Sequence, residues 1–338
     1  MNHKLLFPVA AMALILAGAG CHKAGKLAEA SQAPLPTGPM ELKLKWPQGE
    51  RVVQNMDLTT KSATSVPGQS QAMQQNMIMG QKYALTVLKE NPDGSHEVGM
   101  EFLGARMWME MNGKKTVDYN PAKPTPESST NPVAVMLGKM TGSKIRFFLD
   151  ASNNVERVGG VDEMMSQLSV AGSSPGLATL KGNYSEDYFK QIMVSARFLP
   201  ARAVSPGDTW PVHLELPMEP VGTLQLDYAV TLHGWEKHGR RNCARMEFAG
   251  TIKTKSGSRT TPIGPMGMTV TIQDGIASGT AWFDPELGIV IDSVMNEDMT
   301  MALHLPQNPG AKTGSASQPQ TLTSRVNQSV KIKLDSVN

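Results

Sequence analysis

The chain has 338 residues, enough for about two domains by the soft prior of one per hundred to two hundred residues, each able to bury its own core. Its 32 basic and 30 acidic residues leave a formal charge of +2 with no long like-charge block, which excludes the electrostatic footprint of a nucleic-acid binder. Aromatic residues make up only 5% while methionine reaches 23, so thioether and aliphatic side chains must supply packing volume that rings usually provide.

The opening MNHKLLFPVAAMALILAGAGC carries an early lysine, Lys4, then an apolar run from Leu5 to Leu16, then small residues ending at Cys21. That layout is a secretory signal over residues 1–20, too short to persist as a membrane span. Small residues followed by cysteine resemble the lipobox of bacterial lipoproteins, which implies acylation of Cys21 and a membrane partner reached through that lipid. The resemblance departs at Gly18, where leucine is usual and the nearest leucine is Leu16. Ala17-Gly18-Ala19 offers a rival small-x-small site that would release a soluble periplasmic or secreted protein. His22 and Lys23 follow the cysteine where an aspartate would signal inner-membrane retention, so the expected location is the outer membrane, facing the periplasm, in organisms using that sorting rule. The remaining cysteine, Cys243, then has no disulfide partner and reads as a small buried hydrophobe.

Residues 21–41, rich in Ala, Gly, Pro and Lys without apolar periodicity, read as a flexible tether. Folded sequence begins near Leu42. From Met73 to Val87 the odd positions are largely apolar and the even ones polar, the pattern of a half-buried strand. Asn91-Pro92-Asp93-Gly94 reverses the chain into a second strand, His96 to Met111. The apolar set changes from even to odd positions at Gly104, which predicts a bulge or bend there. Asn131-Pro132 begins a short helix carrying Val133, Met136, Leu137 and Met140 on one face, and further helices are expected over Val161–Leu168 and Ser185–Arg197. A last strand runs from about Leu322 to Val337.

An internal repeat organises these elements. Tyr83-Ala84-Leu85-Thr86-Val87 recurs as Tyr228-Ala229-Val230-Thr231-Leu232, and Met100-Glu101-Phe102-Leu103-Gly104 as Met246-Glu247-Phe248-Ala249-Gly250. Phe148-Leu149-Asp150 before Val155 matches Trp282-Phe283-Asp284 before Ile289. The expected fold is mainly β: two duplicated antiparallel units over 42–160 and 201–338, of curved-sheet or half-barrel type, with a helical connector over 161–200 and a few short packed helices.

Candidate sites are sparse. Met77, Met79, Met107, Met109 and Met111 face one another if the hairpin pairs around Pro92 and Asp93, giving either a filled core or a flexible apolar wall for a ligand. Thioethers suit soft metals, but these alternate as a strand face should. The histidines are scattered, only His233 and His238 lying near each other, so neither metal nor cofactor is expected. There is no His-Glu-x-x-His, Gly-x-Ser-x-Gly, Ser-x-x-Lys or phosphate-cradling glycine loop, and no enzyme is expected. Asn296-Glu297-Asp298 reads as a solvated face or sheet edge.

The stretches KWPQGERVVQNMDLTTKS, YALTVLKENPDGSHEV, NPVAVMLGKMTGSKIRFFLD and GTAWFDPELGIV resemble an uncharacterised family of bacterial envelope proteins, a domain of unknown function, over residues 42 to 302. That resemblance implies no activity and no functional residues. An architectural analogy connects the pattern to half-barrel carriers that move lipoproteins or lipids across the periplasm, whose curved sheet holds helices in its concavity. Together these imply a non-catalytic envelope protein that binds a lipid or acyl chain. The alternative is a scaffold with filled cores that contacts other envelope proteins, and an enzyme of unrecognised type comes third.

Overall fold

The computed structural model describes residues 34–36, 38–126, 130–169, 186, 189–190, 198–218, 221–260, 262, 267–305 and 320–338. The expected leader, Cys21, most of the expected tether and most of the helix expected over 185–197 lie outside the described residues. The chain is mainly β, a single antiparallel sheet of twelve strands that curves without closing. The strands are β1 (Arg51–Ser65), β2 (Met73–Glu90), β3 (His96–Met111), β4 (Lys114–Tyr119), β5 (Lys144–Leu149) and β6 (Val155–Gly159) in the first unit. The second unit holds β7 (Thr209–Met218), β8 (Gly222–His238), β9 (Arg241–Thr254), β10 (Thr269–Asp284), β11 (Ile289–His304) and β12 (Thr321–Val337).

Each unit is a meander, and β12 returns to pair with β1, so the spatial order is β6-β5-β3-β2-β1-β12-β11-β10-β9-β8-β7, with β4 on the outer half of β3. One sheet therefore runs through both units, and its free edges, β6 and β7, are consecutive in the chain.

The repeat survives in space. Tyr83 and Phe102 lie on the second and third strands of the first unit, and Tyr228 and Phe248 on the second and third of the other; all four side chains are buried. Tyr83 pairs with Phe102, whereas Phe248 pairs with Val230 and Tyr228 with Gly250. That offset of two residues preserves the inward face, because strand side chains alternate with period two. It comes from bulges placed differently. In the first unit the register shifts at Lys82/Tyr83, where Leu103 is the extra residue beside the expected bend at Gly104. In the second it shifts between Leu232 and Gly234.

Both Asp-initiated turns form. Asp150 Oδ1 accepts the backbone N–H groups of Ser152 and Asn154, each at 2.8 Å. Asp284 Oδ1 accepts those of Glu286 and Leu287 at 2.9 and 3.1 Å. The second turn is buried and charged: Arg241 donates from Nε and Nη2 to Asp284 and from Nη2 to Glu286 at 2.7 Å.

The curvature is measurable from the segment preceding β1. Lys45 donates from its backbone to Gly288 (3.4 Å) and from Nζ to Pro285 (2.6 Å), holding the β10–β11 turn. Its neighbour Trp46 donates from Nε1 to Asn153 in the β5–β6 turn. On a flat sheet the intervening strands would separate β5 from β11 by about 24 Å, while consecutive Cα atoms are about 3.8 Å apart. The sheet must curl until the paired turns approach, and residues 40–46 strap that end, with Met40 bridging to Val204 before β7.

Helix α1 (Pro132–Met140) starts as its sequence predicts, with Asn131 Oδ1 accepting from Val133 and Ala134. It buries Ala134, Met136, Leu137 and Met140 and packs on β3 and on α2 (Val161–Ser169). Both described helices thus pack on the first unit.

Candidate functional site

The inward face is read most directly along rows of cross-strand partners. One row is Met109, Met77, Thr60, Gln328, Glu297, Ala277, Gly250, Tyr228 and Val212, from β3 to β7. The neighbouring row begins Met107, Met79, Leu58, Val330, Met295, Gly279 and Phe248. All five singled-out methionines fall on this face, Met77 opposite Met109, Met79 opposite Met107 and Met111 opposite Gln75. Met77 is buried, while Met79, Met107, Met109 and Met111 are partly exposed. Gln75 Nε2 donates to the Met109 sulfur at 3.7 Å and Gln81 Nε2 to that of Met79 at 3.9 Å. Among the described residues no group of three or more His, Cys, Asp or Glu side chains converges as metal ligands would.

The same face behaves differently in the second unit. Phe198, Tyr228 and Phe248 form a three-ring cluster with centroids 5.4 to 6.1 Å apart, largely edge-on or tilted, the geometry ring quadrupoles favour. Trp210 Nε1 donates to the Phe198 carbonyl at 2.9 Å and fixes the connector onto β7. Small residues on β9 and β10 let the rings lie down: a methyl group at Gly250 would strike the Tyr228 ring, and one at Gly279 would strike the Phe248 ring.

Within this closed region sits Glu297, and here the sequence expectation is corrected. Asn296 and Asp298 are exposed, but Glu297 is 3% exposed on β11, flanked by β10 and β12 and therefore on no edge. Parity decides it: Met295, Glu297, Met299 and Met301 share the inward face, so the carboxyl follows the methionines and not its sequence neighbours. Gln328 Nε2 donates to Glu297 Oε2 at 2.7 Å, and Thr60 Oγ1 donates to Gln328 Oε1 at 3.4 Å. Glu297 Oε1 has no hydrogen-bond partner. Burial pushes the carboxyl up to about 8, the Gln328 hydrogen bond acting against it, so the group is a neutral acid at neutral pH.

Tyr228, on the same row, is also unsatisfied. Its hydroxyl is buried without a partner, and burial, then the Glu297 carboxylate, push the phenol well above its usual range. Its counterpart Tyr83 is satisfied, donating to Gln54 Oε1 at 3.1 Å, while Gln54 Nε2 donates to the Val290 carbonyl at 3.2 Å. Gln54 is the β1 partner of Tyr83, and at the equivalent place on β7 the partner of Tyr228 is Val212. Cys243 is fully buried, its thiol pushed up to about 12 chiefly by burial, which suits the inert apolar role expected of it.

Residues 93–290 match the model of a family of unknown function (DUF6263), and the chain belongs to that family. The match lies inside the stretch 42 to 302 on which the sequence resemblance rested. No curated protein matches the chain. Among solved structures, one on lipid–protein interactions in lipovitellin aligns over 87% of this chain at 10% identity and a TM-score of 0.43, and this chain spans 26% of that one. A DUF1329 family protein from Desulfovibrio piger aligns over 83% of this chain and 85% of its own, at 10% identity and a TM-score of 0.15. A porin mutant of Rh. blastica aligns over 84% and 100%, at 8% identity and a TM-score of 0.18.

Proposed function

We propose that this member of the family is an exported, non-catalytic envelope protein, acylated at Cys21, that holds an apolar ligand such as a lipid or acyl chain against the methionine wall of its first unit. The observation that carries the proposal is the contrast along one inward face. Leu58, Val330 and Met295 are closed off, yet Met79 and Met107 in the same row, with Met109 and Met111 beside them, keep part of their surface open. Unbranched thioethers adapt to varied apolar shapes, which suits a wall that must repack around a guest. An acyl anchor at Cys21 and the tether to residue 41 would hold the curved body at the membrane that supplies such a guest.

A filled scaffold is the second reading, favoured by the ring cluster that closes the second unit. Native mass spectrometry of the full chain purified from its own membrane separates the two. A co-purifying lipid, lost when Met107 and Met109 are changed to Ala while the thermal midpoint moves little, is the expected result. A lipid-free protein whose same double variant is destabilised by a few kcal/mol would establish the filled core instead.

A further inference from the structure

Of the buried polar atoms that lack partners among the described residues, two lie on one inward row. Glu297 Oε1 and the Tyr228 hydroxyl are separated there only by Ala277 and Gly250, so no side chain larger than a methyl group stands between them. A Cβ at Gly250 would strike the Tyr228 ring, so the ring leans over β9, on the side of its own strand where Glu297 lies, and the Glu297 carboxylate acts on its phenol. An unpaired buried polar group is costly, and two of them on one row, close enough for the Glu297 charge to act on the Tyr228 phenol, mark a place for a polar occupant.

The hydrogen-bond pattern assigns what each group offers. Thr60 orients the Gln328 amide with its oxygen toward β1, so its NH2 faces Glu297 and donates to Oε2. In a neutral carboxyl the carbonyl oxygen is the better acceptor, so with Oε2 taking the Gln328 bond the favoured place for the proton is Oε1. The phenol of Tyr228 is likewise a donor. The groups facing Glu297 are Gln328 from β12, Thr60 beyond it, Ala277 from β10 and Tyr228 from β8, of which only Tyr228 titrates. Along the inward rows of β1, β11 and β12, Glu297 is the one acidic or basic residue among the described residues. Nothing there would neutralise an anion.

We infer that Glu297 and Tyr228 form a polar subsite in which two hydroxyl donors receive an acceptor oxygen of an uncharged apolar molecule, such as the carbonyl of a long-chain ester. The inference rests on the apolar-ligand reading above and supplies its head group. The row from Glu297 through Gln328, Thr60 and Met77 to Met109 covers four strand spacings, about 19 Å on a flat sheet and less on this curved one. The head therefore sits at the closed part of the face and the chain runs toward the open methionines.

The test compares methyl palmitate labelled with 13C at its carbonyl, hexadecane and sodium palmitate as probes of the full-length protein. Methyl palmitate is expected to bind more tightly than hexadecane and to show a lowered carbonyl stretching frequency in the infrared. Tyr228→Phe and Glu297→Leu should each weaken the ester by roughly three- to tenfold, the worth of one hydrogen bond, and leave hexadecane unchanged. Glu297→Gln can turn its NH2 toward the ligand, so it should keep ester preference above pH 8, where the ionised wild-type carboxyl loses its donor. Tyr228→Phe keeps the ring and provides the readout if Glu297→Leu fails to fold. Equal binding of ester and hydrocarbon with an unshifted carbonyl band would overturn the subsite and leave the methionine wall standing. Binding of neither would overturn both, and preference for the palmitate anion would overturn the assignment of donors.

Discussion

Tyr83 and Tyr228 occupy corresponding places in two copies of one meander, yet one phenol is bonded to Gln54 and the other, facing Val212, is bonded to nothing. Duplication preserved the inward ring in both copies and the polar partner in only one. The same divergence runs through the units as wholes. In the first, helices α1 and α2 pack on the sheet and the methionine wall stays partly open. The second is sealed by Phe198, Tyr228 and Phe248, with Glu297 buried at its margin. A repeated scaffold can thus keep its backbone plan while one copy is devoted to closure and the other to access.

The two Asp turns give the largest expected difference. Arg241→Ala would leave Asp284, which is 0% exposed, without its cation and should cost about 3–5 kcal/mol in thermal or denaturant unfolding. Asn154→Ala, in the solvent-facing Asp150 turn, removes a 2.9 Å side-chain bond and should cost about 1 kcal/mol or less. Comparable losses would mean that the turns are not differentiated as described.

Core truncations sharpen the comparison further. Phe248→Ala should cost about 3–4 kcal/mol, because the ring is buried against two others. Met109→Ala, on the partly exposed wall, should cost about 1 kcal/mol, since part of that side chain already meets solvent. Equal costs would argue for a first unit as filled as the second.

Glu297 links stability to pH with a definite sign. Its carboxyl is raised from 4.5 to about 8 in the folded chain, so the folded state holds the proton more tightly than the unfolded one. Its favourable contribution is complete below about pH 4.5 and is lost as pH rises toward 8, at about 1.4 kcal/mol for each pH unit. Glu297→Gln should remove that dependence, and its stability relative to wild type should grow between pH 5 and pH 8. A constant difference across that range would show that the carboxyl is solvated.

Much of this arrangement was legible where the signal is local. The β2–β3 hairpin, the shift beside Gly104, the Asn131 cap and the paired Asp turns each rest on a few contiguous residues whose parity or turn chemistry decides the outcome. The methionine register followed from the hairpin turn. Glu297 was missed because Asn296-Glu297-Asp298 was read as one polar run, although strand parity alone places the middle residue with Met295 and Met299. The return of β12 beside β1 and the strap of Lys45 and Trp46 across two turns depend on contacts between distant segments. No local pattern encodes them, and without them neither the curl of the sheet nor the approach of Tyr228 to Glu297 could be read.

Oxidation of methionine by dilute hydrogen peroxide, followed residue by residue by mass spectrometry, tests the difference between the units most directly. Met79, Met107, Met109 and Met111 should convert to sulfoxide well before Met246, Met295 and Met299 of the second unit, and added methyl palmitate should slow the first group alone. Uniform rates across both groups, or a first group no faster than the second, would contradict an open wall in one copy and a sealed face in the other.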